Sequence, residues 1–145
     1  MSSEDSSQNI ELPLLTFNSL YNILREEKKE KTLQKLPEMF YEALQKFFTD
    51  KKKEILKIKD SGDKSTLKRE MNVLNNSKKI AKDLLNLRCM KISNIGIKDI
   101  LFSDELLSKE NILEKEIIYL DSVSKAVLKI GKELSLKWKE DIVLP

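Results

Sequence analysis

The longest helical stretch of the sequence is residues 65–95, STLKREMNVLNNSKKIAKDLLNLRCMKISNI. It has no proline or glycine, and its apolar residues, joined by Arg88, recur three and four positions apart, as on one side of an α-helix. The recurring positions are Leu67, Met71, Leu74, Ala81, Leu84, Leu85 and Arg88, with Val73, Ile80 and Leu87 beside them. A stripe this wide predicts a long helix that begins at Ser65 or Thr66, packs against at least two neighbours and ends shortly before Gly96.

Two shorter helices are predicted before it. Thr16 caps the first, which ends within residues 28–31 and whose apolar face is Phe17, Leu20, Tyr21 and Leu24. Pro37 starts the second, because proline at the first helical position gives up no needed hydrogen bond. Gly62 and its polar neighbours at residues 59–63 end it. Its predicted inward face is Phe40, Tyr41, Leu44, Phe47, Phe48, Ile55, Leu56 and Ile58.

A last helix is predicted between a short turn at residues 102–103 and Trp138. One of its faces carries Leu113, Ile117, Leu120, Val127 and Leu134. These side chains are candidates for a subunit interface, with an intramolecular core as the equal alternative. The predicted fold is therefore all-α, an elongated bundle of four main helices in one domain at residues 12–138, after a polar, disordered tail at residues 1–11.

Composition excludes several classes of enzyme. The 145 residues include no histidine and a single cysteine, Cys89, so histidine-based triads, the usual zinc sites and internal disulfides lack their parts. Neither G-x-x-x-x-G-K nor G-x-G-x-x-G occurs. The N-terminus resembles no signal peptide and no window is apolar enough to span a membrane, which predicts a protein of the reducing cell interior. We predict no catalytic residue, metal site or cofactor.

Charged residues make up 35% of the chain, yet the net charge is only +3. The positive excess is local, in residues 46–69 and 78–91, where a solvated helix face is favoured over a nucleic-acid site and phosphate contact would be weak. The acidic pairs are also predicted to lie on solvated surface; they are Glu26 with Glu27, Asp104 with Glu105, and Glu114 with Glu116. Arg88 differs, because its place in an apolar stripe predicts a structural ion pair.

Residues 33–41 read LQKLPEMFY, and Leu36, Pro37, Phe40 and Tyr41 in this segment resemble a signature of the GINS family of DNA replication factors. Met39 stands where an acidic residue is common in that family. Residues 24–28 resemble the end of the family's first helix. Residues 84–92, with Leu87, Arg88, Lys91 and Ile92, resemble a segment of its third helix.

The resemblance implies an archaeal GINS subunit of the type in which a helical A domain comes first and a small β-rich B domain follows. Residues 139–145 would then be a linker or the start of a missing B domain. It further implies a non-catalytic, cytoplasmic protein in a heterotetramer with a second GINS-type subunit, which bridges the MCM helicase to a RecJ-like protein and supports primase or polymerase. Two other classes stay open: a small helical nucleic-acid-binding module, and an enzyme whose site the sequence does not reveal.

Overall fold

The computed structural model describes residues 11–102 and 109–133, and within these ranges all regular structure is α-helical. The helices are α1 (Phe17–Lys29), α2 (Phe40–Ser61), α3 (Lys64–Phe102) and α4 (Glu114–Glu133). The all-α fold with four helices is thus confirmed. No helix in the part of the chain described is long and apolar enough to cross a membrane. Residues 1–10 of the predicted tail, the predicted helix end at Trp138 and residues 139–145 lie outside the described residues.

The helices contribute to two compact units, whereas the sequence predicts one domain. Residues 11–25 and 36–82 form the first unit, and residues 26–35, 83–102 and 109–133 belong to the second. The buried apolar side chains of the first unit are Leu15, Leu20, Leu24, Leu36, Phe40, Ala43, Phe47, Leu74 and Ile80. Those of the second are Leu33, Leu84, Ile92 and Ile95, and they accompany three buried charged residues.

The start of α2 lies three residues later than predicted. Proline disfavours a helical conformation of the residue before it, here Leu36, and the chain is non-helical at Pro37 as well. The chain turns at Met39, whose φ of 57° is left-handed, and the Met39 carbonyl accepts the first bond of the helix from the amide of Ala43 at 3.0 Å. Pro37 therefore precedes the helix instead of occupying its first position.

One residue, Leu56, was wrongly assigned to the inward face of α2. Phe40 and Phe47 are buried, but Leu56 is 61% exposed. Leu56 follows Phe40 by sixteen positions, which at 3.6 residues per turn places it almost half a turn away from the buried side. The predicted apolar face of α2 was therefore too wide towards the C-terminal end of the helix.

The predicted break between the second and third helices is confirmed at Gly62. Its φ of 81° is accessible to glycine at little cost, and its amide donates to the Lys59 carbonyl at 3.3 Å. Asp63 then caps α3, because its carboxylate accepts the Thr66 amide at 3.2 Å and the Thr66 hydroxyl at 2.7 Å. These bonds from Thr66 hold the pKa of Asp63 below its ordinary value.

Gly96 does not end α3, which continues to Phe102. A Cβ built on Gly96 would lie 3.2 Å from each of three side-chain atoms of α4, which are Leu120 Cδ1, Val123 Cγ1 and Ser124 Oγ. Real Cβ contacts are seldom so short, so the missing side chain lets α4 approach closely. The glycine serves helix packing here, which is why its interpretation as a stop signal was wrong.

Candidate functional site

The centre of the second unit is the guanidinium of Arg88, which is fully buried on α3. Its Nε and Nη2 atoms donate to the two carboxylate oxygens of Glu116 at 2.7 and 2.8 Å. Nη1 donates to Glu27 Oε1 at 2.8 Å and to the Gln34 carbonyl at 2.7 Å, and Nη2 also donates to the Asn111 carbonyl at 2.9 Å. Arginine has five N–H donors, so every one of them is used.

Glu27 joins this arginine to a second cation. Its Oε2 atom accepts from Lys91 Nζ at 2.6 Å and from the Gln34 amide at 3.1 Å. The same ammonium donates to the carbonyls of Glu27, Glu30 and Thr32 at 2.6, 2.9 and 3.0 Å. Because the last carbonyls of a helix lack partners within it, Lys91 satisfies the C-terminal end of α1 as well as the carboxylate.

Glu116 has a similar double role at the start of α4. Its Oε1 atom accepts the Leu113 amide at 2.9 Å, a bond that satisfies a backbone donor just before the helix. Nearby, the side-chain amide of Asn111 donates to the Leu33 carbonyl at 2.8 Å. We call the set of Glu27, Arg88, Lys91 and Glu116 the arginine cluster. It fastens the end of α1, the connection after it, the middle of α3 and the start of α4.

The arginine cluster contains two cations and two carboxylates, so its net charge is zero. Burial lowers the pKa of Arg88, but the hydrogen bonds and charges of Glu116 and Glu27 outweigh burial and raise it above its ordinary value. Among the residues that the structure describes, no buried side-chain nitrogen or oxygen lacks a hydrogen-bond partner. A fully bonded, permanently charged arginine positions segments of the chain and offers no open place for a ligand.

The ion pair predicted for Arg88 is confirmed, and its partners were missed. Glu27 and Glu116 were predicted to lie on solvated surface, yet both are buried. The signal was present, because Glu27 follows Leu24 by three positions and so shares the buried face of α1, and Glu116 precedes Leu120 by four on α4. Asp104 and Glu105 lie outside the described residues.

The residues that resemble the GINS signature differ in exposure. Leu36 and Phe40 are buried in the first unit, where Tyr41 is half-buried and its ring centroid lies 5.5 Å from that of Phe40, edge to face. Pro37 is exposed. In the second unit, Leu87 is half-buried, and Arg88 and Lys91 belong to the arginine cluster.

The five candidate interface residues also differ. Ile117 is 45% exposed, whereas Leu113, Leu120 and Val127 are half-buried, and Leu134 lies outside the described residues. Leu120 packs at Gly96, so it belongs to the core of its own chain. Ile130, predicted to lie alongside this face, is also exposed, and sequence reasoning missed three further large apolar side chains that α4 exposes, which are Ile118, Tyr119 and Leu128.

Outside the arginine cluster, the remaining candidates for chemistry are the Cys89 thiol and the acidic side chains. Burial and the charge of Glu116 raise the pKa of the Cys89 thiol, which disfavours the reactive thiolate at neutral pH. Over residues 11–102 and 109–133, no three side chains of histidine, cysteine, aspartate or glutamate come together to hold a metal ion. Comparison of the chain with family models, with curated proteins and with solved structures finds no match.

Proposed function

We propose that the chain is a non-catalytic subunit of an archaeal GINS complex. In that role it would pair with a second GINS-type subunit and hold the MCM helicase together with a RecJ-like protein and primase or polymerase during chromosomal replication. The proposal starts from the resemblance of residues 24–28, 33–41 and 84–92 to GINS segments. Two structural observations support it.

The observation that carries the proposal is that these three segments share one set of contacts. Glu27 belongs to the first segment, Gln34 to the second, and Arg88 with Lys91 to the third. Arg88 Nη1 bonds both Glu27 and Gln34, and Lys91 Nζ bonds Glu27 again. If the three segments resembled GINS segments by chance, nothing would lead us to expect them to meet in one buried cluster. If they belong to one shared fold, contact between them is expected.

The second observation is the apolar surface of α4. Five large side chains are exposed there; they are Ile117, Ile118, Tyr119, Leu128 and Ile130. Ile117 and Leu128 are eleven positions apart, which is three helical turns, so they lie on the same side of α4. Neighbouring exposed apolar residues on one helix are typical of a surface that another chain covers.

Light scattering tests the proposal directly. The protein alone should give a mass well above 16.9 kDa, and co-expression with a candidate GINS-type subunit of the same genome should raise it further. The variant Ile117→Glu with Leu128→Glu should lower both masses, because two charges would be buried at the contact. Both side chains are already exposed, so the fold itself should survive, as circular dichroism would check.

Leu56→Glu provides a control with a single added charge, to be compared with Ile117→Glu alone as well as with the double variant. Leu56 is an exposed leucine on a different helix, α2, so its substitution should leave both masses unchanged. A protein that stays monomeric at high concentration and ignores the candidate subunit would remove the basis for an assembly role. An equal effect of the α2 and α4 variants would show that the loss of mass is not specific to α4.

A further inference from the structure

The N-terminal half of α3 carries a face made of lysine and asparagine. Its residues are all exposed and recur at intervals of three and four; they are Lys64, Lys68, Asn72, Asn75, Lys79 and Lys82, with Lys78 one turn from both Asn75 and Lys82. Such spacing keeps side chains on one side of a helix. We call these seven residues the lysine face. From residue 64 to residue 82 it extends about 27 Å, at 1.5 Å per residue.

This stretch has a larger net positive charge than the whole chain. Residues 64–82 include six basic side chains and one acidic side chain, a net charge of +5, whereas the whole protein has only +3. The acidic residue is Glu70, whose carboxylate is mostly buried and pairs with Lys51 at 3.4 Å. None of the five lysines of the lysine face forms an ion pair with a residue that the structure describes.

We propose that the lysine face binds the phosphate backbone of double-stranded DNA without regard to sequence. A row of ammonium groups interleaved with amide donors suits phosphate oxygens, which take most protein–DNA hydrogen bonds. Duplex DNA has one negative charge per about 1.7 Å of its axis, so a helix of this length faces many phosphates. Residues 64–82 contain no aromatic side chain on which unpaired bases could stack, which favours a duplex over a single strand.

The binding should be weak and steeply dependent on salt. Five lysine contacts with phosphate give an expected slope of about −4 to −5 in a plot of log affinity against log salt concentration. The lysine face is independent of the assembly role proposed above. A monomeric protein that binds DNA would contradict the assembly role alone, and an oligomer that fails to bind DNA would contradict the present proposal alone.

Two triple variants of equal charge test the lysine face. The first is Lys68→Gln, Lys79→Gln and Lys82→Gln, and the control is Lys125→Gln, Lys129→Gln and Lys132→Gln on α4. All six lysines are exposed, so both variants should melt at the temperature of the wild type. Fluorescence anisotropy with a labelled duplex, between about 50 mM and about 200 mM salt, measures affinity and slope.

We expect the first variant to reduce the salt slope by about 3 and the affinity at low salt by roughly tenfold or more, and the control to change the slope by less than about 1. Equal losses in both variants would mean that only overall charge matters, which overturns the proposal. So would undetectable binding of the wild type at low salt. Tighter binding to the single strand of the same sequence, or to anionic vesicles, would assign the surface to a different partner and overturn it too.

Discussion

At the residue scale, the stability of the arginine cluster depends on every buried donor and acceptor having a partner, more than on any one hydrogen bond. A buried guanidinium loses its hydration, and only a full set of partners offsets that loss. A single acidic partner would have made Arg88→Met milder than removal of the partner's charge. Two carboxylates remove this difference, because the methionine variant keeps Glu27 with Lys91 but leaves Glu116 buried without the guanidinium.

Arg88→Met should therefore lower the free energy of unfolding by roughly 3–5 kcal/mol, as loss of one member of a buried ion pair usually does. Glu116→Met alone should have a cost of similar size, since Arg88 then keeps only Glu27 and two carbonyls. The double variant should be milder than the sum of the two single variants by roughly 1–3 kcal/mol. Urea unfolding of the four proteins measures this coupling.

Glu26→Gln is the matched control for these variants. Glu26 is the exposed neighbour of Glu27, and its change should be nearly silent. Strict additivity of the Arg88 and Glu116 variants would show that the two side chains do not interact in solution, and the described cluster would then be wrong.

Of the four residues of this cluster, only Arg88 was predicted from the sequence to form an ion pair. Arg88 was recognisable because a charged residue at an apolar position of a helical stripe needs a partner. The partners were not recognised, because acidic residues among lysines at residues 25–31 are typical of solvated surface, and this composition outweighed the position of Glu27 three residues after Leu24. Glu27 is buried, whereas Glu26 is exposed.

At the element scale, the sequence predicts which helices exist better than where they begin and end. Apolar periodicity is set by burial along a whole helix, so all four helices were found. Their boundaries depend on single residues whose role is ambiguous. Pro37 can occupy the first position of a helix or lie in the extended chain before it. Gly96 can end a helix or allow another helix to pack closely against it. The break at Gly62 was clear because it acts locally, whereas the cap at Asp63 was not predicted, and α3 begins at Lys64, before the predicted Ser65 or Thr66.

Gly96→Leu should destabilise the protein by roughly 1–3 kcal/mol, because the new side chain would collide with α4. Gly96→Ala should stay within about 1 kcal/mol of the wild type, since three side-chain ends at 3.2 Å can shift slightly and alanine gains helix propensity. Thermal unfolding of both variants provides the measurement.

Asn94→Leu places the same leucine on an exposed position of α3 and serves as the control. It should leave the melting temperature almost unchanged. If Gly96→Leu proved equally harmless, α4 would not approach α3 at this glycine, and the interpretation of Gly96 as a packing residue would have to be abandoned.

At the scale of the whole molecule, composition and periodicity give the fold class but not the use of the surface. Exposed apolar residues on α4 and the lysine face on α3 both consist of residue types that occur throughout the chain, so only the three-dimensional arrangement separates them from their neighbours. The division into two units was likewise not predicted from the sequence. It falls inside α1 and α3, which are continuous helices that each contribute residues to both units.

The arginine cluster has a consequence for how slowly one loop amide exchanges its hydrogen with solvent. Gln34 lies in the non-helical connection after α1, where exchange is normally fast, but its amide is bonded to Glu27 Oε2 inside the cluster. Arg88 joins Glu27 across 61 positions of sequence, so this amide can be released only when distant segments of the second unit separate together.

We therefore expect the amide of Gln34 to exchange almost as slowly as the core of α3 when the protein is placed in deuterated water and followed by NMR. The adjacent amide of Lys35 donates to no acceptor in the described part of the chain and should exchange within the first spectrum. Similar rates at both positions would mean that the cluster opens locally. If exchange is slow at Gln34 but fast at Lys35, the exchange rate of the Gln34 amide measures how often the second unit opens.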